Sequence, residues 1–377
     1  MVIQCFSCGN TYNVQYDGTS CESCGGLLEV QHNFSGLDAD LLKRTFAERL
    51  SERMSKYASG VWRYKELVHP ALSEQDIVTR GEGNTGLYDV QAVSAFTGSR
   101  KVWLKAQSEN PSSSFKDNGM TVAVSVGRSL GYHHFACSST GNTSSSLAMY
   151  AAWCGAKAQV HIPNKDVSPS KILQTLAYGA ELVRFEGTYD DALRYLEKEG
   201  RAQGLYVCNS INPWRIEGQK TMVYEIAQSL GWKLPDWIVV PGGALSNVTS
   251  IGKALRDLKE IGLIERLPRI ALVHAELRPS IATALNIVHP PSLPKAELVL
   301  AQFAGVRVSV SEQEIIAAKA IIDRSGIGCE PASAASAAGL KKLVATGAID
   351  KDESAVCILT GHLLKDTEAL QVVHGVK

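Results

Sequence analysis

Cys5-x-x-Cys8 and Cys21-x-x-Cys24 bring four thiols into a short N-terminal stretch, with Gly9, Gly25 and Gly26 following the pairs. Thiolates at this spacing can close a tetrahedral zinc site that fixes a ribbon too small to fold alone. With four sulfur ligands no coordination position stays open, so such a site is structural. A second concentration is Asn110-Pro111-Ser112-Ser113-Ser114-Phe115-Lys116-Asp117-Asn118-Gly119. Small hydroxyl residues lead there to one lysine at the start of an apolar helix. An ammonium beside a positive helix N-terminus loses charge stabilisation, which frees the amine for Schiff-base chemistry. Taken alone, the segment reads more simply as a solvated lysine beside a helix.

Further polar, glycine-bearing stretches follow apolar ones: Ser138-Ser139-Thr140-Gly141-Asn142, Asn209-Ser210-Ile211-Asn212, Gly242-Gly243-Ala244-Leu245-Ser246-Asn247 and Thr360-Gly361-His362. The turn at 242–247 opens a helix, where free backbone N–H groups and the helix dipole suit a phosphate. It lacks the Gly-Lys-Ser/Thr ending of a nucleotide P-loop. Gly81-Glu82-Gly83-Asn84-Thr85-Gly86 matches GxGxxG letter for letter, but no long helix follows it, so a dinucleotide site is not expected.

The elements that must position these residues follow a strand–loop–helix rhythm. Strands are expected at 102–106, 135–139, 158–162, 181–187, 205–210, 237–242, 269–276 and 355–361. Helices are expected at 41–50, 120–130 and 143–154, the last two stopped by Gly131 and Gly155, and another is expected to open at Ser168-Pro169 and end at Gly179. After the first of these helices the chain reads as a polar connector. Alternation of this kind means an α/β fold with parallel or mostly parallel sheets covered by helices. In such sheets ligands bind beyond the carboxyl ends of the strands, where the polar stretches fall.

Composition narrows the function. The 377 residues are 45% hydrophobic and 20% charged, which permits a large core, and formal net charge is zero. Nucleic-acid binding is not expected from that balance, nor from a ribbon with no Lys or Arg before Lys43. No apolar run is long enough for a membrane, and the N-terminus lacks the pattern of a signal peptide. Nine cysteines, five of them scattered, fit a reduced cytoplasm.

GEGNTG (81–86), ENPSSSFKDNGM (109–120), SSTGNTSSSLA (138–148), NPWRIEGQKT (212–221), CEPASAAS (329–336) and LTGHLLKD (359–366) resemble, in that order, the motifs of the threonine-synthase family. That family belongs to the fold-type-II, pyridoxal-phosphate-dependent enzymes, with a tryptophan-synthase-β-like fold of two sheet subdomains, and zinc-ribbon-bearing members are known. The resemblance implies a ribbon at 1–34, a helical connector at 35–75 and a catalytic domain at 76–377, the smaller subdomain spanning roughly 110–215. It implies that Lys116 carries the cofactor and moves the substrate Cα proton. Asn142 would contact the cofactor's phenolic oxygen, the turn Gly242, Gly243, Ala244, Leu245, Ser246 and Asn247 its phosphate, and Thr360 its ring nitrogen as a neutral partner. Thr143, Asn209, Ser210 and Arg215 would hold the substrate phosphate, and Cys5, Cys8, Cys21 and Cys24 a zinc ion. The implied reaction converts O-phospho-L-homoserine and water to L-threonine and phosphate. The implied partner is a small phosphorylated amino acid, with no nucleic acid, no membrane and room for a homodimer.

The chain departs from the family pattern at several positions. Ser113 replaces a glycine and Asn118 an arginine of NPTGSFKDRG. In the turn usually written GNAGN or GNGGN, Ala244 replaces the asparagine that reaches the substrate phosphate. Leu245 and Leu363 are expected to add bulk near the cofactor, and ATAIRIGNP has become Ala282-Thr283-Ala284-Leu285-Asn286-Ile287-Val288-His289-Pro290. Two other readings follow: a paralogue acting on another phosphorylated amino acid such as O-phosphoserine, as cysteate synthase does, and a non-catalytic binding protein. Retention of Lys116 and Asn142 argues against the second.

Overall fold

The computed structural model describes residues 1–164 and 169–375. Its strands are β1 (Val2–Cys5), β2 (Thr11–Tyr12), β3 (Leu28–Gln31), β4 (Leu87–Asp89), β5 (Lys101–Ala106), β6 (His134–Ser138), β7 (Lys157–Pro163), β8 (Glu181–Phe185), β9 (Tyr206–Val207), β10 (Trp237–Pro241), β11 (Arg269–Ala275), β12 (Val306–Val310) and β13 (Ser354–Leu359). The chain divides into two compact units, one made of 1–83 and 116–222, the other of 84–115 and 223–377.

The first unit opens with an antiparallel ribbon in the order β2-β1-β3. Its main sheet is parallel, in the order β8-β7-β6-β9. Val124, Phe135, Cys137, Leu147, Tyr150 and Val160 form its core. The helices Lys116–Ser129 and Asn142–Trp153 end as expected before Gly131 and Gly155, whose positive φ values of 87° and 70° suit glycine. The helix at Pro169–Ala177 is present, while its expected cap Ser168 lies outside the described residues. The segment read as a polar connector is partly core: Val61, Trp62, Tyr64, Leu67 and Val68 are fully buried, and Trp62 Nε1 donates to Thr121 Oγ1 at 2.8 Å.

The second unit holds a six-stranded sheet in the order β12-β11-β10-β13-β5-β4. All its pairings are parallel except β4 with β5. One helix over the sheet, Pro331–Ala345, is rich in Ala, Ser and Gly, and so lies close to it. A Cβ on Gly339 would stand 2.4 Å from Val273 Cγ2. β4 and β12 were not expected from the sequence. β4 is short and largely exposed, and β12 is a half-exposed edge strand, so neither carries a continuous apolar run. Among the described residues no helix is long and apolar enough to cross a membrane.

The tightest crossing in the first unit joins Lys116–Ser129 to the helix Pro213–Gln219. A Cβ on Gly218 would lie 1.8 Å from Asn118 O, and one on Gly119 would lie 2.6 Å from Arg215 O. Both obstacles are backbone, so the helices must move apart if either residue gains a side chain. Gly218→Ala is expected to destabilise the fold by about 2–3 kcal/mol or more. The measurement is the thermal unfolding midpoint. A midpoint matching the wild type would show that the helices do not touch here.

Candidate active site

The first unit brings together most of the expected substrate and lysine residues. Lys116 opens the helix Lys116–Ser129 and is half-buried. Next to it, Asp117 is fully buried and accepts from Ser146 Oγ at 2.5 Å. Asn142 opens the helix Asn142–Trp153 directly after β6 and its loop, and Thr143 follows, both partly buried. Gly141, the residue before this helix, supplies no side-chain cap. That leaves the N-terminal end of the helix uncapped, as an anion-facing helix start requires.

Arg215 sits on the partner helix of the glycine crossing and is fully buried. Its Nη1 donates to Cys208 O at 2.6 Å, while Nε and Nη2 have no hydrogen-bond partner among the described residues. Burial pulls its pKa below the ordinary value, offset by the Cys208, Cys137, Tyr189 and Asp117 side chains. Asn209 behaves differently from the expectation of a phosphate ligand. Its Oδ1 accepts from Ser138 N–H at 3.0 Å and its Nδ2 donates to Ser138 O at 2.9 Å. The amide thereby imitates a neighbouring strand, which is why β9 stops at Val207 where a longer strand was expected. Ser210 lies beside it, 7% exposed.

The second unit carries the other expected cofactor residues. Gly242 N–H continues the sheet by donating to Val273 O at 2.8 Å. The N–H groups of Gly243, Ala244, Leu245, Ser246 and Asn247 find no acceptor among the described residues. They lead into the helix Ser246–Ile261, which has no side-chain cap. Asn247 spends its side chain on the turn itself, with Nδ2 donating to Pro241 O at 2.7 Å and Oδ1 accepting from Val248 N–H at 2.8 Å. Gly243 is closely covered, since a Cβ there would lie 2.4 Å from Ala284 O. Leu245 is buried in a left-handed conformation, φ 65°, and Leu363 packs on Gly328, where a Cβ would lie 2.1 Å from Leu363 Cδ2.

Thr360 follows β13 and is bound through Ser333 and Glu330. Sequence reading quoted Glu330 within CEPASAAS but gave it no role; a buried carboxylate in an Ala/Ser run was the available signal. Beside Thr360, the loop of Lys116 is anchored by Phe115 N–H donating to Thr360 O at 2.9 Å and His362 N–H donating to Ser113 O at 3.0 Å. Ser114 Oγ is buried with no hydrogen-bond partner. The GEGNTG segment serves structure. In the first unit Glu82 is fully buried and accepts from Tyr150 Oη at 2.6 Å and Ser59 Oγ at 2.8 Å. In the second, Asn84 N–H donates to Glu225, which pairs with buried Lys105 at 2.9 Å.

At the N-terminus the sulfur atoms of Cys5, Cys8, Cys21 and Cys24 all lie within 4.8 Å of one another. Cys5 and Cys24 are 3.5 Å apart, Cys8 and Cys21 3.6 Å. A tetrahedral site with metal–sulfur bonds of about 2.3 Å needs sulfurs roughly 3.8 Å apart, so the four thiols can hold one metal ion. The ribbon is tied to the helix of Arg215. Glu217 meets Lys220 Nζ at 2.5 Å and His32 Nε2 at 2.6 Å, all three side chains being almost wholly buried.

A family model described as pyridoxal-phosphate dependent enzyme matches residues 78–361. The threonine synthase of Methanocaldococcus jannaschii is 38% identical over 390 residues, covering 98% of this chain and 94% of that one. That of Methanosarcina acetivorans is 38% identical, covering 98% and 93%. Among solved structures, threonine synthase from Escherichia coli aligns at 15% identity with a TM-score of 0.71, covering 100% of this chain and 91% of that one, which speaks for the fold. The strand-end loops and these likenesses together define a fold-type-II pyridoxal-phosphate-dependent enzyme. Within that class, the chain belongs to the threonine-synthase family. The residues present fit the cofactor: five unengaged N–H groups at a helix start suit its phosphate, and the orphaned Ser114 hydroxyl awaits a polar partner.

Ser113 occupies the family's glycine position with φ 70°, in the left-handed region that disfavours a side chain. Ser113→Gly is expected to raise stability, by up to about 1 kcal/mol after the glycine's larger unfolded-state entropy is counted. Denaturant unfolding checks the sign. A loss of stability would show that the serine hydroxyl contributes more than its backbone strain costs.

Proposed function

We propose that this chain is a threonine synthase that converts O-phospho-L-homoserine and water to L-threonine and phosphate, with pyridoxal phosphate carried on Lys116. The observation that carries the reading is the Gly119–Gly218 crossing, which sets the helix of Lys116 against that of Arg215, a buried guanidinium with two donors to spare. When bound, pyridoxal phosphate supplies an electron sink for the charge left by loss of the substrate's protons. Lys116 Nζ takes the proton from Cα and assists its loss from Cβ. Phosphate then leaves Cγ, and water adds at Cβ.

Asn142 and Thr360 orient the cofactor ring, and the N–H groups of Gly242, Gly243, Ala244, Leu245, Ser246 and Asn247 form the setting for its phosphate. Arg215 supplies charge to the leaving phosphate, with Thr143 and Ser210 as hydroxyl donors. In a buried setting such charge–charge attraction is stronger than in water. Asn209 acts by holding the loop after β6 in place. Nine free cysteines support a reducing compartment, the cytoplasm.

Borohydride reduction of the yellow holoenzyme followed by peptide mapping is expected to label Lys116. A label on Lys105 would remove the assignment. Phosphate release from O-phosphohomoserine, compared with O-phosphoserine and with products identified, tests the substrate. Arg215→Ala is expected to lower kcat/KM for the true substrate by about a hundredfold or more, the loss of a charged hydrogen-bonding group. Unchanged turnover of both phosphorylated substrates would overturn this site.

The cysteine cluster is proposed to hold one structural zinc ion. Protein purified under reducing conditions is expected to contain one equivalent of zinc, and chelation to loosen residues 1–34 while cofactor absorbance persists. Metal analysis that finds no zinc would refute the ribbon.

A further inference from the structure

Thr360 is held by a hydrogen-bond chain that runs in one direction. The N–H groups of Thr360 and Gly361 both donate to Ser333 Oγ, at 2.8 and 3.0 Å. With its lone pairs so occupied, Ser333 acts outward as a donor. Thr360 Oγ1 lies 2.9 Å from it, nearer than the other acceptor in reach, Gly361 O at 3.5 Å. Thr360 Oγ1 donates in turn to Glu330 Oε1 at 3.0 Å. An ionised carboxylate can only accept, so it fixes the sense of the whole chain. Thr360 therefore receives a proton from Ser333, gives its own to Glu330 and keeps a single lone pair.

The surroundings leave little freedom to reverse this order. Thr360 is 4% exposed and Glu330 7%. Glu330 N–H donates to Gly361 O at 2.9 Å, and a Cβ on Gly361 would lie 2.5 Å from Glu330 Cδ. The carboxyl group is thus wedged against the backbone of the residue after Thr360, and only glycine admits that approach.

We propose that Glu330 is a positioning residue that, through Thr360, makes the hydroxyl facing the ring nitrogen of pyridoxal phosphate an obligate acceptor, so that this nitrogen is held protonated. The proposal rests on the reading of Thr360 as the residue that faces the ring nitrogen. A lone threonine can donate or accept, and as such is the neutral partner expected from the sequence. Glu330 removes that freedom. The proton comes from solvent as the cofactor binds, and no bond other than N–H forms. A protonated ring withdraws electrons more strongly, which helps a reaction that removes two protons from carbon.

The test is the 15N NMR signal of holoenzyme reconstituted with pyridoxal phosphate labelled at the ring nitrogen. The wild-type signal is expected at the shielded position of a pyridinium, and a signal at the neutral-pyridine position overturns the proposal without recourse to any variant. Glu330→Gln places an amide donor opposite Thr360 and releases its hydroxyl proton toward the ring. The signal is then expected to move to the neutral position, with kcat reduced and KM little changed. An unchanged signal in this variant overturns the proposal. Glu330→Asp keeps a carboxylate and is expected to keep the pyridinium signal; its loss there too would assign the effect to packing and overturn the proposal. Thr360→Ala separates the two layers. If it leaves the signal untouched, Thr360 does not face the nitrogen and the underlying reading fails. If it moves the signal while Glu330→Gln does not, only the role of Glu330 falls.

Discussion

Two glycines meeting backbone to backbone decide what the first unit can do. Helices normally pack about 8–10 Å apart because side chains separate them. At Gly119 and Gly218 there are none, and the helix of Lys116 rests on the helix of Arg215. Gly119 is one helical turn beyond Lys116, and Gly218 is three residues beyond Arg215, so each functional residue lies on or near the contact. The same closeness seals the guanidinium from water. An arginine with two unpaired donors in a dry setting is a costly arrangement, on the order of 1–3 kcal/mol for each unmade bond. Its persistence is intelligible if an anion completes it.

The strand-end loops follow a second rule: they bind themselves with side chains and leave main-chain N–H groups for the ligand. Asn209 takes up both backbone groups of Ser138, and Asn247 closes its own turn on Pro241. What the 242–247 turn then presents is a row of N–H groups at a helix start. This explains how the turn can lose the family's asparagine at Ala244 and still form. A left-handed backbone at Leu245 costs about 1–2 kcal/mol, which burial of the leucine side chain offsets at about 1.5–3 kcal/mol. Leu363 likewise spends its bulk on Gly328 rather than on open space.

The legible parts of this chain were those governed by local pattern. The metal cluster was visible from two CxxC pairs, and the parallel sheets from apolar runs alternating with helices that end in glycine. The family motifs supplied the candidate residues in order. Features that depend on distant partners were not legible. β12 is an edge strand whose exposure alternates, and the segment around Trp62 turns out to be core because Thr121, far along the chain, accepts its indole N–H. Asn209 reads as a ligand in sequence because nothing local reveals that Ser138 will claim its amide. Glu330 was hidden for the same reason: its meaning lies in Ser333 and Thr360, and no spacing rule connects a helix start with the end of a strand.

The ribbon belongs to this same logic of distant partners. A ribbon held only by its metal would be free to pivot, since its sheet is small and its core rests on residues such as Ile3, Leu28 and Val30. His32 follows β3 directly and enters a buried cluster with Glu217 and Lys220. Burying such groups carries a desolvation cost of several kcal/mol per ion, recovered only when the hydrogen-bond geometry is met. A contact of that kind tolerates little sliding, so it fixes the ribbon's register as a greasy patch would not. Phe34 stacks on His32 at 5.1 Å and His69 on Trp214 at 4.6 Å, extending the contact along the same helix. Burial pushes His69 down to about 4, so its ring stays neutral at neutral pH and adds no second charge to the cluster. The ribbon is thus built into the wall that carries Arg215.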